Sequence, residues 1–212
     1  MVGEIGMTKK TFSSSNRYQR RQLHLALKPR FVIAMEGDST ELDYFRNLRR
    51  FCPGITVDSI KSNHHSSPKN VLKRIKEKLK SHPLESDDQA WIVIDRDQWP
   101  QDQLVELKKW VNNKKNVHIA LSNPKFEFWL LLHFEDAKGV QTPKACDERL
   151  KRYLTDYDKS LNDRDFPLDL IKRAIKRAEK IVINPQDWPN QPGTTAVYEL
   201  VSEMLRWGNN EN

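Results

Sequence analysis

Cysteine is scarce in this chain. There are two, Cys52 and Cys146, far apart and without the spacing of a metal-ligand pair. That excludes a disulfide framework and fits a reducing, cytoplasmic compartment. Long apolar runs are missing too. With 31% charged residues and a mean hydropathy of −0.77, the chain offers no membrane span. No apolar stretch follows the basic residues at its start, so a secretory signal is not expected. There is no internal repeat, and no low-complexity segment beyond the first residues.

What is present is an excess of positive charge. The formal net charge is +7 over 212 residues. Such a balance fits a polyanionic partner such as nucleic acid, and equally a solvated surface. Lys9, Lys10, Arg17, Arg20, Arg21, Lys28 and Arg30 stand against Glu4 alone, so nearly all of the excess lies at the start. The segment 8–16 is rich in Ser, Thr and Lys and has no apolar period, which predicts a flexible arm over residues 1–29. Such an arm can grip a phosphate backbone or simply solubilise the chain.

Two acidic stations each close an apolar run. Phe31-Val32-Ile33-Ala34-Met35 leads into Glu36-Gly37, and Trp91-Ile92-Val93-Ile94 into Asp95-Arg96-Asp97. Short runs of branched and aromatic residues between polar breaks read as buried strands. Helical sequence lies between them, so the two strands are expected to be parallel, with their C-terminal ends on one edge. Open α/β sheets build their sites on that edge. Glu36, Asp95 and Asp97 would gather there. Carboxylates so close repel and raise one another's pKa, and a divalent cation removes that cost. Hard oxygen ligands suit Mg2+ or Mn2+.

The remaining pattern fills in the α/β order. Ser39 is placed to cap a helix reaching about Arg50, residues 55–60 alternate as a second and edge strand, and Ser67-Pro68 opens a helix through Leu79. A helix around Leu104 to Val111 and a strand at 117–121 follow. Phe126 to Phe134 reads as a buried helix, and three further helices are expected at 143–154, 168–183 and 194–207. The helix around Lys172 to Lys180 carries Ile171, Ala174, Ile175, Ala178 and Ile181 on one stripe, with Arg and Lys opposite. That basic face is a wet surface or a nucleic-acid contact. His64-His65 reads as an exposed loop pair or a metal site. Trp91 and Trp129 read as core, and His133 as a packed, hydrogen-bonded histidine.

These residues resemble two related patterns. Glu36-Gly37 with Thr40-Glu41 and Tyr44-Phe45, followed by Asp95-Arg96-Asp97, is similar to the Toprim signature of topoisomerases, primases and OLD-family nucleases. The string Ser122-Asn123-Pro124-Lys125-Phe126-Glu127-Phe128-Trp129, with Pro192-Gly193-Thr194-Thr195-Ala196-Val197-Tyr198 near the end, resembles the RloB-like family from about Arg30 to Leu205. The resemblance implies a Toprim-like α/β fold: a parallel four-stranded sheet flanked by helices over 30–134, with a helical extension over 135–212 packed on it. It also implies a component of prokaryotic anti-phage abortive-infection systems, often encoded beside an ATPase-like partner. In Toprim enzymes the first-strand glutamate acts as general acid or base and the Asp-x-Asp pair holds magnesium, which carries over to Glu36, Asp95 and Asp97.

Two more carboxylates join the candidates. Glu41, on the first turn of the helix, is a further metal ligand, as a similar residue is in OLD nucleases, or an acid suited to the helix dipole. Glu127, inside an aromatic run, is costly to bury unless it is paired or binds metal. It is a site residue, an orienter of Asn123, or the partner of Lys125 or another cation. Lys125 itself either stabilises phosphate charge or is an ordinary exposed lysine. Arg96 holds a phosphate or pairs with a neighbouring aspartate. Gly37 is expected to let the chain turn tightly beside the site.

Cleaving a phosphodiester needs an activated water, charge stabilisation on phosphorus and help for the leaving oxygen. Two metals about 4 Å apart supply all three. The favoured expectation is therefore a metal-dependent nuclease acting on DNA or RNA in phage defence. The alternative is a non-catalytic subunit that binds nucleic acid or nucleotide beside an ATPase. Nucleotidyl transfer, as in primases, is a third possibility. No Gly-Lys-Ser/Thr phosphate loop is present, although primases do not use one.

Overall fold

The computed structural model describes residues 28–37, 39–61, 67–96, 99–155, 161–162, 165–181, 183 and 186–209. The expected arm over 1–29, His64-His65 and Asp97 fall wholly or largely outside these residues.

Five strands form one sheet: β1 (Arg30–Met35), β2 (Thr56–Ile60), β3 (Gln89–Asp95), β4 (Val117–Asn123) and β5 (Thr194–Thr195). Their spatial order is β2-β1-β3-β4-β5, with β1 to β4 parallel and β5 antiparallel to β4. The helices are α1 (Thr40–Leu48), α2 (Pro68–Ser81), α3 (Gln101–Asn112), α4 (Phe126–Leu131), α5 (Pro143–Leu150), α6 (Leu168–Ala178) and α7 (Val197–Gly208). This is the expected α/β architecture of four parallel strands flanked by helices, with a fifth short strand added.

Alternation along the strands splits the core in two. Phe31, Ile33, Met35, Trp91 and Val93 face one side, where α1 and α4–α7 bury Phe45, Trp129, Cys146, Ile171 and Leu200. Val32, Ala34, Ile92 and Ile94 face the other, against Val71 and Ile75 of α2 and Leu104 and Leu107 of α3. Residues beyond Phe134 thus share a core with the first face of the sheet. Both cysteines are buried free thiols.

Local chemistry accounts for most element ends. Ser67 accepts the Asn70 amide at 3.4 Å with Pro68 in the first turn, and Thr142 accepts the Ala145 amide at 3.2 Å ahead of Pro143. Ser39 precedes α1 but makes no side-chain cap bond, and that helix tightens into a 3₁₀ turn at Arg49–Phe51. The helix expected from Thr194 begins only at Val197. Thr194 and Thr195 instead pair with Asn123 and Ser122, and the Ser122 and Thr195 hydroxyls meet at 2.9 Å. Two β-branched residues opposite a strand end favour the ladder over another helical turn.

On α6 the stripe is as expected, with Ile171, Ala174 and Ala178 buried. Arg177, on its basic side, is structural: its guanidinium donates to the carbonyls of Leu132 and His133 at 2.8 and 2.9 Å, where α4 ends.

The end of α7 docks on the chain after α1 through a contact only glycine permits. Gly54 N donates to Gly208 O at 2.7 Å, and a Cβ on Gly208 would lie 2.5 Å from Cys52 Cα. Gly208→Ala is therefore expected to destabilise the protein by about 1–3 kcal/mol, the usual cost of overpacking. Urea unfolding measures it, and an unchanged midpoint would show that this end of the helix is not held.

Candidate functional site

The order β2-β1-β3-β4 places a topological switch point between β1 and β3, because the chain leaves β1 to one side for β2 and returns to the other for β3. Glu36 follows the last residue of β1, and Asp95 is the last residue of β3. The Glu36 amide donates to Val93 O at 3.1 Å, so both acids are fixed by the ladder that joins the two strands. Asp95 shares the parity of Trp91 and Val93 and belongs to the face on which α1 and α4 pack.

Glu36 is buried and firmly oriented. Its Oε1 accepts the Trp99 indole N–H at 2.7 Å, and its Oε2 accepts the Asp95 amide at 3.2 Å. Glu41, also buried, lies in the first turn of α1, and its Oε1 accepts the Gly37 amide at 3.2 Å. Gly37 is needed here for close approach: a Cβ on it would fall on the Glu41 carboxylate. Its φ is not in the left-handed region, so clearance rather than a tight turn explains the glycine.

Glu127, in the first turn of α4, is buried and stands 3.6 Å from Lys125 Nζ. Lys125 is not an ordinary surface lysine. Its side chain is only 20% exposed, and it also pairs with Asp147 at 2.7 Å. Burial pushes its ammonium down, yet the Asp147 hydrogen bond and the charges of Glu127 and Asp147 outweigh that and hold its pKa above the ordinary lysine value. Asn123 is not engaged with Glu127 through its amide, which donates to Pro189 O at 3.2 Å. Arg96 donates to Asn190 Oδ1 and Trp99 O at 3.0 and 2.9 Å.

The electrostatics join these groups into one site. Burial holds the Asp95 carboxyl well above the ordinary value, and the charges of Glu41, Glu36 and Glu127 raise it further against the opposing charge of Lys125. Three of the expected site carboxylates, Glu41, Glu36 and Glu127, therefore act on a fourth, Asp95; the fifth, Asp97, lies outside the described residues.

Among the described residues, no group of three or more His, Cys, Asp or Glu is placed to hold a metal ion; Asp97 lies outside them. The donor chemistry nonetheless fits a hard divalent cation: all four groups are carboxylates, and one lysine does not balance their charge. Glu36, Glu41 and Asp95, with Asp97, are the residues that would hold it. Two surface grooves, of about 500 and 560 Å³, lie elsewhere, near Asn116 at the opposite edge of the sheet. The carboxylates mark the site better than either cavity, since an acidic cluster at a strand edge can act on a polymer without enclosing it.

Three partners escaped the sequence reading: Trp99 on Glu36, Asp147 on Lys125 and Asn190 on Arg96. Only Trp99 left a signal there, as an aromatic residue in the polar stretch after the acidic pair. It is a positioning residue. Trp99→Phe removes the indole donor, and a hydrogen bond to a charged group is worth about 1.5–3 kcal/mol. The expected result is roughly tenfold or greater loss of site activity well below the melting transition, with a melting temperature lowered by several degrees. Equal activity in the two proteins would show that Glu36 needs no such anchor.

A mostly parallel α/β sheet with buried carboxylates converging at its switch point defines the class of protein. Residues 31–204 match the model of a family described as RloB-like protein. The chain belongs to the RloB-like family. No curated protein and no solved structure matches it. Among the described residues, no helix is long and apolar enough to cross a membrane.

Proposed function

We propose that this protein is a metal-dependent nuclease of the Toprim type, cleaving phosphodiester bonds in DNA or RNA as part of prokaryotic anti-phage defence in the cytoplasm. The observation that supports this reading best is the crowding of Glu36, Glu41 and Glu127 on Asp95 at the switch point. Crowded carboxylates cost stability unless something cationic offsets them. A bound Mg2+ or Mn2+ supplies Lewis-acid charge and lowers the pKa of a bound water.

The protein's own groups do the rest. Glu36, Glu41, Asp95 and Asp97 would hold the cation. Glu36, oriented by Trp99 and the Asp95 amide, exchanges a proton at its carboxylate with the attacking or leaving oxygen. Lys125, 3.6 Å from Glu127, sets a positive charge beside the site. An ATPase-like partner would activate the protein.

A second reading is a non-catalytic nucleic-acid- or nucleotide-binding subunit. The observation that favours it is the engagement of the carboxylates with the chain itself, Glu36 with Trp99 and Glu127 with Lys125. The two readings separate in one assay. Purified protein is incubated with Mn2+ or Mg2+ and single- and double-stranded DNA, total RNA and tRNA, beside an Asp95→Ala control, with and without the partner ATPase. Metal-dependent cleavage that the variant lacks supports the nuclease. Binding without cleavage in every arm supports the subunit.

A further inference from the structure

At the edge of the sheet opposite the carboxylates, the last turns of α2 and α3 and the start of β4 enclose a groove of about 500 Å³. Lys76, Lys80, Lys114 and Lys115 line it and are exposed, against Glu85 alone among its acids. Among the described residues, none of the four lysines forms an ion pair; two rest on an aromatic ring instead. Lys76 and Lys114 Nζ lie 5.7 and 5.4 Å from the ring centroid of Trp110. Trp110 is half-buried, packed with Leu79 and Leu84 on the second core cluster, so the core holds the indole while the two lysines beside it are exposed.

A held aromatic face ringed by unpaired cations matches one class of ligand. Single-stranded nucleic acid offers a base to stack and phosphates on either side. A duplex hides its base faces, and an acidic protein surface supplies charge without a flat ring. We infer that this groove is a single-stranded nucleic-acid holding site, with Trp110 stacking a base and Lys76, Lys80, Lys114 and Lys115 binding the flanking phosphates. It lies about 20 Å from the carboxylates, the length of β4 at roughly 3.3 Å per residue. It therefore holds the polymer and does not react with it. The inference deepens the nuclease reading but also holds for a binding subunit, because it concerns binding alone.

The test is fluorescence anisotropy of labelled dT12 and rU12 in EDTA, where no cleavage occurs, with a labelled duplex and an abasic 12-mer as further arms. The paired variant Lys114→Gln/Lys115→Gln is expected to bind about tenfold more weakly, with a log Kd against log salt slope flatter by about 1.4. Trp110→Ala is expected to weaken binding by a similar factor and Trp110→Phe by less, while the abasic strand is indifferent to both. The lysine pair is exposed and keeps the test valid if Trp110→Ala unfolds. The dT12 and rU12 arms tell whether the bound strand is DNA or RNA. Unchanged affinity and slope in the lysine variant would overturn the inference. So would displacement of the oligonucleotide by poly-glutamate at equal charge, which would mark the groove as a docking face for an acidic protein. Absence of cleavage by the wild-type protein in metal, with binding intact in EDTA, would count against the nuclease reading alone.

Discussion

Asp95→Asn is expected to raise the stability of the metal-free protein and, in the same molecule, to abolish cleavage. The folded-state pKa of Asp95 lies above its ordinary value because of burial and the charges of Glu41, Glu36 and Glu127. A carboxyl raised in this way is favoured by folding while protonated. Its contribution is fully present below the ordinary carboxylate range and is lost as pH rises through the folded pKa. Well above that range the ionised group carries a penalty, which a neutral amide of the same shape removes. Relief of one crowded charge is expected to raise Tm, and each 1 kcal/mol gained corresponds to roughly 2–4 °C for a chain of this size. Cleavage is expected to fall by about 10³-fold, the scale seen when a group stabilising transition-state charge is removed. Thermal melting in EDTA and a cleavage assay in Mn2+ read the two effects. A variant that melts lower than the wild type would show that Asp95 is a structural acid with a satisfied partner.

The second large effect is acid lability centred on His133. This ring is fully buried between Tyr44, Trp129 and Phe166. Its Nδ1 lies 3.0 Å from Trp129 O, and a carbonyl only accepts, so Nδ1 carries the proton. Nε2 is then the acceptor for the Tyr44 hydroxyl at 3.1 Å. Burial pushes the imidazole down to about 3, against an ordinary value near 6.5, with the charge of Arg177 pushing the same way.

A folded pKa below the unfolded one means that the unfolded chain takes up the proton first. The stabilisation is present above 6.5 and is lost as pH falls toward 3. Between pH 7 and pH 5 the loss attributable to His133 is about 2 kcal/mol. His133→Gln cannot be charged, so its urea-unfolding stability is expected to fall by about 2 kcal/mol less over the same interval, although it starts lower. Parallel pH slopes for the two proteins would show that His133 is protonated in the folded state.

Legibility in the sequence followed the length of the signal. β1 and β3 are continuous apolar runs ended by acids, so their burial, their direction and the meeting of Glu36 with Asp95 follow from pattern alone. β5 is two threonines, too short for any period, and only Ser122 and Asn123 opposite it make it a strand. Glu127 stands out because an acid in an aromatic run needs a partner, and that partner is Lys125 two residues earlier. Lys125 looked ordinary because its stronger partner, Asp147, comes from α5 far along the chain. Gly37 was legible as a needed glycine but not for the right reason, since clearance for the Glu41 carboxylate is a side-chain fact. Trp99 reaches Glu36 from a loop, where no periodicity constrains direction.

The carboxylates at the β1–β3 switch point are expected to hold a divalent cation. Titration of the protein with Mn2+, following the free-ion signal by electron paramagnetic resonance, tests it without needing a substrate. Saturable uptake by the wild-type protein that Asp95→Asn largely lacks is the predicted result. Equal uptake by both proteins, or none by either, would contradict it.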